Sequence, residues 1–126
     1  MASVTLKGTP FELAGNLPAV GTAAPAFNLV KSDLSAVANA DGAGKTTILL
    51  TVPSLDTPVC QMETRKFNEA ASGLDNVQVL VASADLPFAI KRFCAAEGIE
   101  NVDGVSDVRD RGSISALRPR ATSSLR

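Results

Sequence analysis

A chain of 126 residues, 45% hydrophobic and 20% charged with a formal net charge of -1, fits one globular domain and gives no reason to expect nucleic acid or an anionic membrane as partner. With no histidine and only two cysteines, the chain excludes Ser-His-Asp and Cys-His catalysis of its own, and both His-containing and Cys-only zinc sites. No apolar run approaches a membrane span and "MASVTLKGTPFEL" lacks the regions of a signal peptide, so a cytoplasmic location is expected, with cysteines that are reactive or buried rather than a permanent staple.

In chain order, "SVTLKGTPFELAG" alternates apolar and polar residues around Gly8, Thr9 and Pro10, which predicts a small β-hairpin. "NLPAVGTAAPAFNLV" is extended and broken by Pro18 and Pro25, with "AFNLV" as a short strand. Residues 31–44 are polar and Gly/Ala-rich and read as loop with a helical turn. "TTILLTV", from Thr46 to Val52, is β-branched and almost wholly apolar, as expected of a central strand covered on both faces, and "VQVLVASA" is a second such strand.

The helix between these strands should present Phe67, Ala70, Ala71 and Leu74 as one apolar stripe. Asp85 is placed to cap a second helix, "LPFAIKRFCAAE", with Pro87 in its first turn, Gly98 just past its end, and Ala89, Phe93 and Ala96 facing inward. "NVDGVSD" opens a further strand. Alternating strands and helices on a parallel core give an α/β sandwich. One apparent motif is set aside: "GAGKTT" resembles the end of a phosphate-binding loop, but Asn39 stands where the pattern needs glycine, and Thr46 leads into a strand rather than a helix. It reads as a turn.

With Thr57 as helix cap and Pro58 as the first helical residue, Cys60 occupies the third helical position. Its sulfur would face unpaired backbone N–H groups, the positive helix end and the Thr57 hydroxyl, each favouring the anion over the thiol. The same N–H groups would stabilise the leaving oxygen of a peroxide, and the resulting sulfenic acid could condense with a nearby thiol. Cys94 is the only other thiol in the chain, and the spacing is not C-x-x-C. On these residues alone, Cys60 is as consistent with a buried structural cysteine as with a reactive one. Cys94, beside Phe93, reads first as core filling, Thr57 as a plain cap and Pro53 as a strand end. The joint placement of Pro53, Thr57 and Cys60 at a strand-to-helix junction favours chemistry.

"PSLDTPVC" resembles the peroxiredoxin signature P-x-x-x-[TS]-x-x-C. "PSLDTPVCQMETRKFNEAA" and "SADLPFAIKRFCAAEGIENV" are similar to the peroxidatic and resolving segments of the thiol peroxidases, the atypical two-cysteine branch, and the likeness runs from the start to about Ser106. The resemblance implies a thioredoxin-like fold with an N-terminal β-hairpin, reducing hydrogen peroxide and organic hydroperoxides without metal or cofactor. It implies Cys60 as the peroxidatic residue and Cys94 as the resolving one, in an intramolecular disulfide recycled by thioredoxin. Thr57 would bond the sulfur and the peroxide, Pro53 would shield the pocket, and a homodimer is the common assembly. The two cysteines lie on different predicted helices, so local unwinding is expected before they can join.

The expected organisation is a partial thioredoxin-like domain over 1–105 and a divergent Arg/Ser-rich tail over 106–126, "SDVRDRGSISALRPRATSSLR". The resemblance implies further strands, a supporting arginine and a closing helix beyond this point, and the tail supplies none recognisably. The fold is therefore expected to be incomplete at its C-terminal end, through a reading-frame change or truncation. The alternatives are a catalytically impaired fragment with a redox-sensitive thiol pair, and a small binding module with a basic tail.

Overall fold

The computed structural model describes residues 3–110. Two strands, β1 (Ser3–Leu6) and β2 (Thr9–Glu12), form the expected antiparallel hairpin, with Ser3 opposite Glu12 and Leu6 opposite Thr9. Its two-residue turn is Lys7-Gly8, both at positive φ, as a tight hairpin connection requires. The expected strand at "AFNLV" is β3 (Asn28–Lys31). A three-residue strand, β4 (Ala36–Ala38), folds back onto it through residues read from the sequence as loop, and the expected helical turn follows as a 3-10 helix over Asn39–Gly42. "GAGKTT" is a turn that enters β5 (Thr46–Thr51), with Gly44 at positive φ.

Then come α1 (Pro58–Ala71), β6 (Val77–Ser83), α2 (Pro87–Glu97) and β7 (Asp103–Ser106). The main sheet has the order β4-β3-β7-β6-β5. β5 pairs parallel to β6 and β6 parallel to β7, while β3 runs antiparallel to both β4 and β7. The predicted thioredoxin-like α/β architecture with its hairpin is therefore present.

Alternation along β6 builds the two sides of the core. Leu80 and Ala82 join Phe27, Leu29, Val37 and Val105 on one face, while Val79 and Val81 join Val52, Ile90, Ile99 and Val102 under the helices. Burying each such Val, Leu or Ile side chain is worth roughly 1.5–3 kcal/mol. β6 is the covered strand of the pair read from sequence. β5, expected in the centre, is bonded on one side only among the described residues and ends the sheet. Its apolar run is explained by its two faces: Ile48 and Leu50 pack under the helices and Leu49 against the opposite cluster. Such a run reports covered faces, not neighbours along the hydrogen-bonding direction.

Both helices are rotated from their expected orientations. In α1, Phe67 and Ala71 face the core as predicted, but Ala70 is exposed and Leu74 lies beyond the helix, 47% exposed. The inward row is Cys60, Thr64, Phe67 and Ala71, with Thr64 buried and its hydroxyl donating to the Cys60 carbonyl at 2.8 Å. In α2, Pro87 and Ile90 are buried, Phe93 and Cys94 pack beside them, and Ala96 is exposed. The larger Ile90 wins the inward position because β7 presents Gly104 beneath it. A Cβ on Gly104 would collide with Ile90 Cγ2 and lie 3.5 Å from Cys94 Sγ.

Gly98 ends α2 in the left-handed conformation at φ 65°, as its position predicted. Of the predicted tail, Ser106 closes β7 and residues 107–110 form a turn, with the Asp110 N–H donating to the Asp107 carbonyl at 3.1 Å. Residues 111–126 lie outside the described residues. Gly104→Ala is expected to lower stability by about 1–3 kcal/mol through overpacking against Ile90. A shifted denaturant midpoint checks this, and an unchanged midpoint would show that α2 lifts without cost.

Candidate active site

Parallel pairing of β5, β6 and β7 brings three strand ends to one rim. The rungs continue past the strands: Val52 N–H donates to the Ala82 carbonyl at 2.9 Å, Ala84 N–H to the Pro53 carbonyl at 3.4 Å, and Asp107 N–H to the Ser83 carbonyl at 3.1 Å. Pro53 therefore sits on the rim, exposed, where β5 gives way to the connector of residues 53–57. Leu55, only 2% exposed, plugs this connector into the core.

Thr57 has extended backbone angles and precedes Pro58 at the first helical position, as the sequence predicted. Its side chain does not cap the helix. The hydroxyl instead donates to the Ser54 carbonyl at 2.8 Å, closing a turn within the connector. With its proton committed there, the Thr57 oxygen is left to accept a hydrogen bond. The first backbone bond of α1 runs from the Gln61 N–H to the Thr57 carbonyl at 3.0 Å. The amides of Val59 and Cys60 precede that bond and lie at the positive helix end, suited to an anionic or polar oxygen. Cys60 is half-buried in this first turn. Pro53, Thr57 and Cys60 are thus brought together at one strand-to-helix junction. Val59 and Met62 at the start of α1, and Leu86 and Phe88 at the start of α2, are exposed apolar side chains.

Cys94 is also free and half-buried, but lies in the last turns of α2 against Gly104. Burial pushes its thiol pKa up, and the Asp103 carboxylate adds to the shift. It lines a cleft of about 300 Å³ with Lys31, Asp33 and Asp103. A second cleft, of about 430 Å³, lies at the N-terminal ends of β6 and β7, lined by Val77, Asp103 and Lys45, away from the rim that carries Cys60. α1 and α2 cover the same face of the sheet; Arg65 on α1 reaches Glu97 at the end of α2 at 3.3 Å, and Asn68 accepts the N–H of Asn101, in the segment after α2, at 2.8 Å. Cys60, in the first turn of α1, and Cys94, in the last turns of α2, are free thiols on separate helices.

Sequence reasoning misplaced Asp85. It does not cap α2, whose cap is Leu86. Its Oδ1 accepts the Ser54 hydroxyl at 2.7 Å, and its Oδ2 accepts the Leu55 N–H at 2.7 Å and the Ser83 hydroxyl at 2.8 Å. The partner Ser54 lies thirty-one residues away, beyond the reach of a local capping pattern. Asp107, at the same rim and 7% exposed, was not singled out from sequence; its Oδ1 has no hydrogen-bond partner among the described residues. No group of three or more Cys, Asp or Glu suited to a metal occurs among the described residues. No described helix is long and apolar enough to cross a membrane.

The raised Cys94 pKa fixes a sign. In a Cys60→Ser chain, alkylation of Cys94 is expected to accelerate with pH only above the range of an unfolded thiol, and Asp103→Asn moves that rise to lower pH. The folded state holds this proton more tightly than the unfolded one. The stability it confers is full below the unfolded thiol pKa, about 8.5, and is lost as pH rises through it towards the folded value. An alkylation profile matching that of the denatured chain would contradict the assignment.

A family model described as redoxin matches residues 19–117. The thiol peroxidase of Halalkalibacterium halodurans is 52% identical over 110 residues, covering 87% of this chain and 66% of that protein. That of Oceanobacillus iheyensis is 48% identical over 110 residues, covering 87% and 67%. Among solved structures, the peroxiredoxin-like protein from Aquifex aeolicus superposes with a TM-score of 0.81 at 46% identity, covering 87% of this chain and 64% of that one. A thiol peroxidase from Chromobacterium violaceum superposes at 0.76 with 21% identity, a likeness of fold. The chain spans about 59–67% of the length of the curated relatives it matches. On the match over residues 19–117 and the identity to full-length relatives, the chain belongs to the redoxin family, in its thiol peroxidase branch.

Proposed function

We propose that the chain reduces hydrogen peroxide and organic hydroperoxides through Cys60, with Cys94 as resolving thiol. The observation that carries this is the position of Cys60 in the first turn of α1, where the Val59 and Cys60 amides precede the first helical bond, in a member of the thiol peroxidase branch. The Cys60 thiolate attacks one peroxide oxygen, the O–O bond breaks, and the other oxygen leaves as hydroxide or alkoxide and takes up a proton. Charge develops on that leaving oxygen, where the Val59 and Cys60 N–H groups stabilise it. The Thr57 oxygen accepts from the hydroperoxide O–H and orients it. Pro53 stands at the rim and limits water.

The product is a sulfenic acid on Cys60. The Cys94 thiol attacks it, a disulfide forms and water leaves. A dithiol protein, with thioredoxin as the reading's reductant, returns two electrons and both protons. Sulfur supplies every electron, so the scheme balances without metal or cofactor. The exposed apolar residues Val59, Met62, Leu86 and Phe88 support alkyl hydroperoxides as substrates and a homodimer as the assembly. A cytoplasmic location fits two free thiols.

One observation favours a second reading: the chain spans about two thirds or less of its relatives' length. On that reading it is a catalytically impaired fragment with a redox-sensitive thiol pair. One equivalent of hydrogen peroxide distinguishes the two. The peroxidase reading expects stoichiometric thiol loss about a hundredfold or more faster than for free cysteine, the scale of positioned donors. Cys60→Ser should abolish it, and Cys94→Ser should keep the fast first step but stop at the sulfenic acid. Thiols oxidising no faster than free cysteine would leave the fragment reading.

A further inference from the structure

Asp85 takes no part in the steps above, yet it sits at the centre of the rim. Its carboxylate holds the connector through the Ser54 hydroxyl and the Leu55 N–H, each at 2.7 Å, and the end of β6 through the Ser83 hydroxyl at 2.8 Å. Its carbonyl accepts the hydroxyl of Ser106, the last residue of β7, at 2.5 Å. The connection reaches the site through one residue: Ser54 accepts the Asp56 N–H on its hydroxyl at 3.0 Å and the Thr57 hydroxyl on its carbonyl at 2.8 Å. On its other side Asp85 stands two residues before Pro87, which opens the helix that carries Cys94.

We propose that Asp85 is a positioning residue that latches the Ser54–Thr57 connector, and with it the first turn of α1, in the arrangement that cleaves peroxide. The inference rests on the peroxidase reading of Cys60 for its catalytic consequence, though not for the latch itself. Two opposed demands fall on that turn. Attack on peroxide needs Thr57 and the Val59 and Cys60 amides held in place, whereas disulfide formation needs Cys60 to leave them for Cys94. The latch acts on the balance between these states. Hydrogen bonds to a charged acceptor shift a local equilibrium by roughly ten- to hundredfold. Ser54 and Leu55 loosen when that acceptor is lost, because the carboxylate accepts both the Ser54 hydroxyl and the Leu55 N–H, while the rung from the Ala84 N–H to the Pro53 carbonyl remains.

The test compares the full chain with Asp85→Asn, which keeps the side-chain size and removes the charge. Three quantities are read: hydrogen exchange at the Leu55 amide, peroxide oxidation of Cys60 in a Cys94→Ser background, and disulfide formation once the sulfenic acid is present. The latch predicts Leu55 exchange faster by about tenfold or more, Cys60 oxidation slower by a similar factor, and disulfide formation as fast as before or faster. A residue that merely supports the fold would slow both chemical steps together, and that result overturns the proposal. So does wild-type exchange at Leu55. If Asp85→Asn does not fold, Ser54→Ala removes one of the three carboxylate bonds and is judged by the same readings with a smaller shift. If the wild-type chain does not consume peroxide, the peroxidase reading falls, while Leu55 exchange still decides the latch.

Discussion

Three parallel strand ends meeting at one rim form the constraint on which the rest of this structure depends. Parallel pairing of β5, β6 and β7 forces each chain segment to leave the sheet at the same end, so the connector to α1, the start of α2 and the turn after β7 become neighbours. Each departing segment carries backbone groups that the sheet no longer pairs. The Asp85 carboxylate and the Ser54, Ser83 and Ser106 hydroxyls satisfy several of them. The result is a fixed connector rather than a free loop, and Cys60 is the first sulfur after it.

The same geometry makes the two cysteines chemically unequal. Cys60 lies where a helix begins, and its amide precedes the first helical bond, from the Gln61 N–H to the Thr57 carbonyl. Cys94 lies near a helix end, pressed on Gly104 and beside Asp103, and burial and that charge both favour its neutral thiol. That inequality is what the proposed two-step scheme needs, in which Cys94 acts only after Cys60 has been oxidised. The two thiols lie on separate helices that cover the same face of the sheet, so on the proposed scheme the second step calls for a change in the first turn of α1.

Much of this was legible in the sequence because the signals were local. Gly8 marks the hairpin turn, although Thr9 and Pro10, read with it, begin β2; Pro58 and Pro87 mark helix starts, Gly98 marks a helix end, and β-branched runs mark β5 and β6. The junction that gathers Pro53, Thr57 and Cys60 follows from those same signals. What failed depended on tertiary partners. β4 rests on a single buried residue, Val37, between two alanines, too little pattern to announce a strand. Phe93 faces the core as its spacing predicted, but the buried position of α2 belongs to Ile90 above Gly104, on another element, and Ala96 is exposed. The Thr57 hydroxyl turned back to Ser54 rather than forward into the helix. Asp85 had the right type and place for a cap, but two donors on the distant connector, Ser54 and Leu55, and the nearby Ser83 hydroxyl outcompeted the helix amides.

The inequality of the two sulfurs is tested most directly by limiting alkylation of the reduced chain near neutral pH, with the modified cysteine identified by mass spectrometry and the urea-unfolded chain as control. The account predicts that Cys60 reacts at least about tenfold faster than Cys94 in the folded chain, and that unfolding erases the difference. Equal labelling of the two cysteines in the folded chain, or Cys94 reacting first, would contradict it.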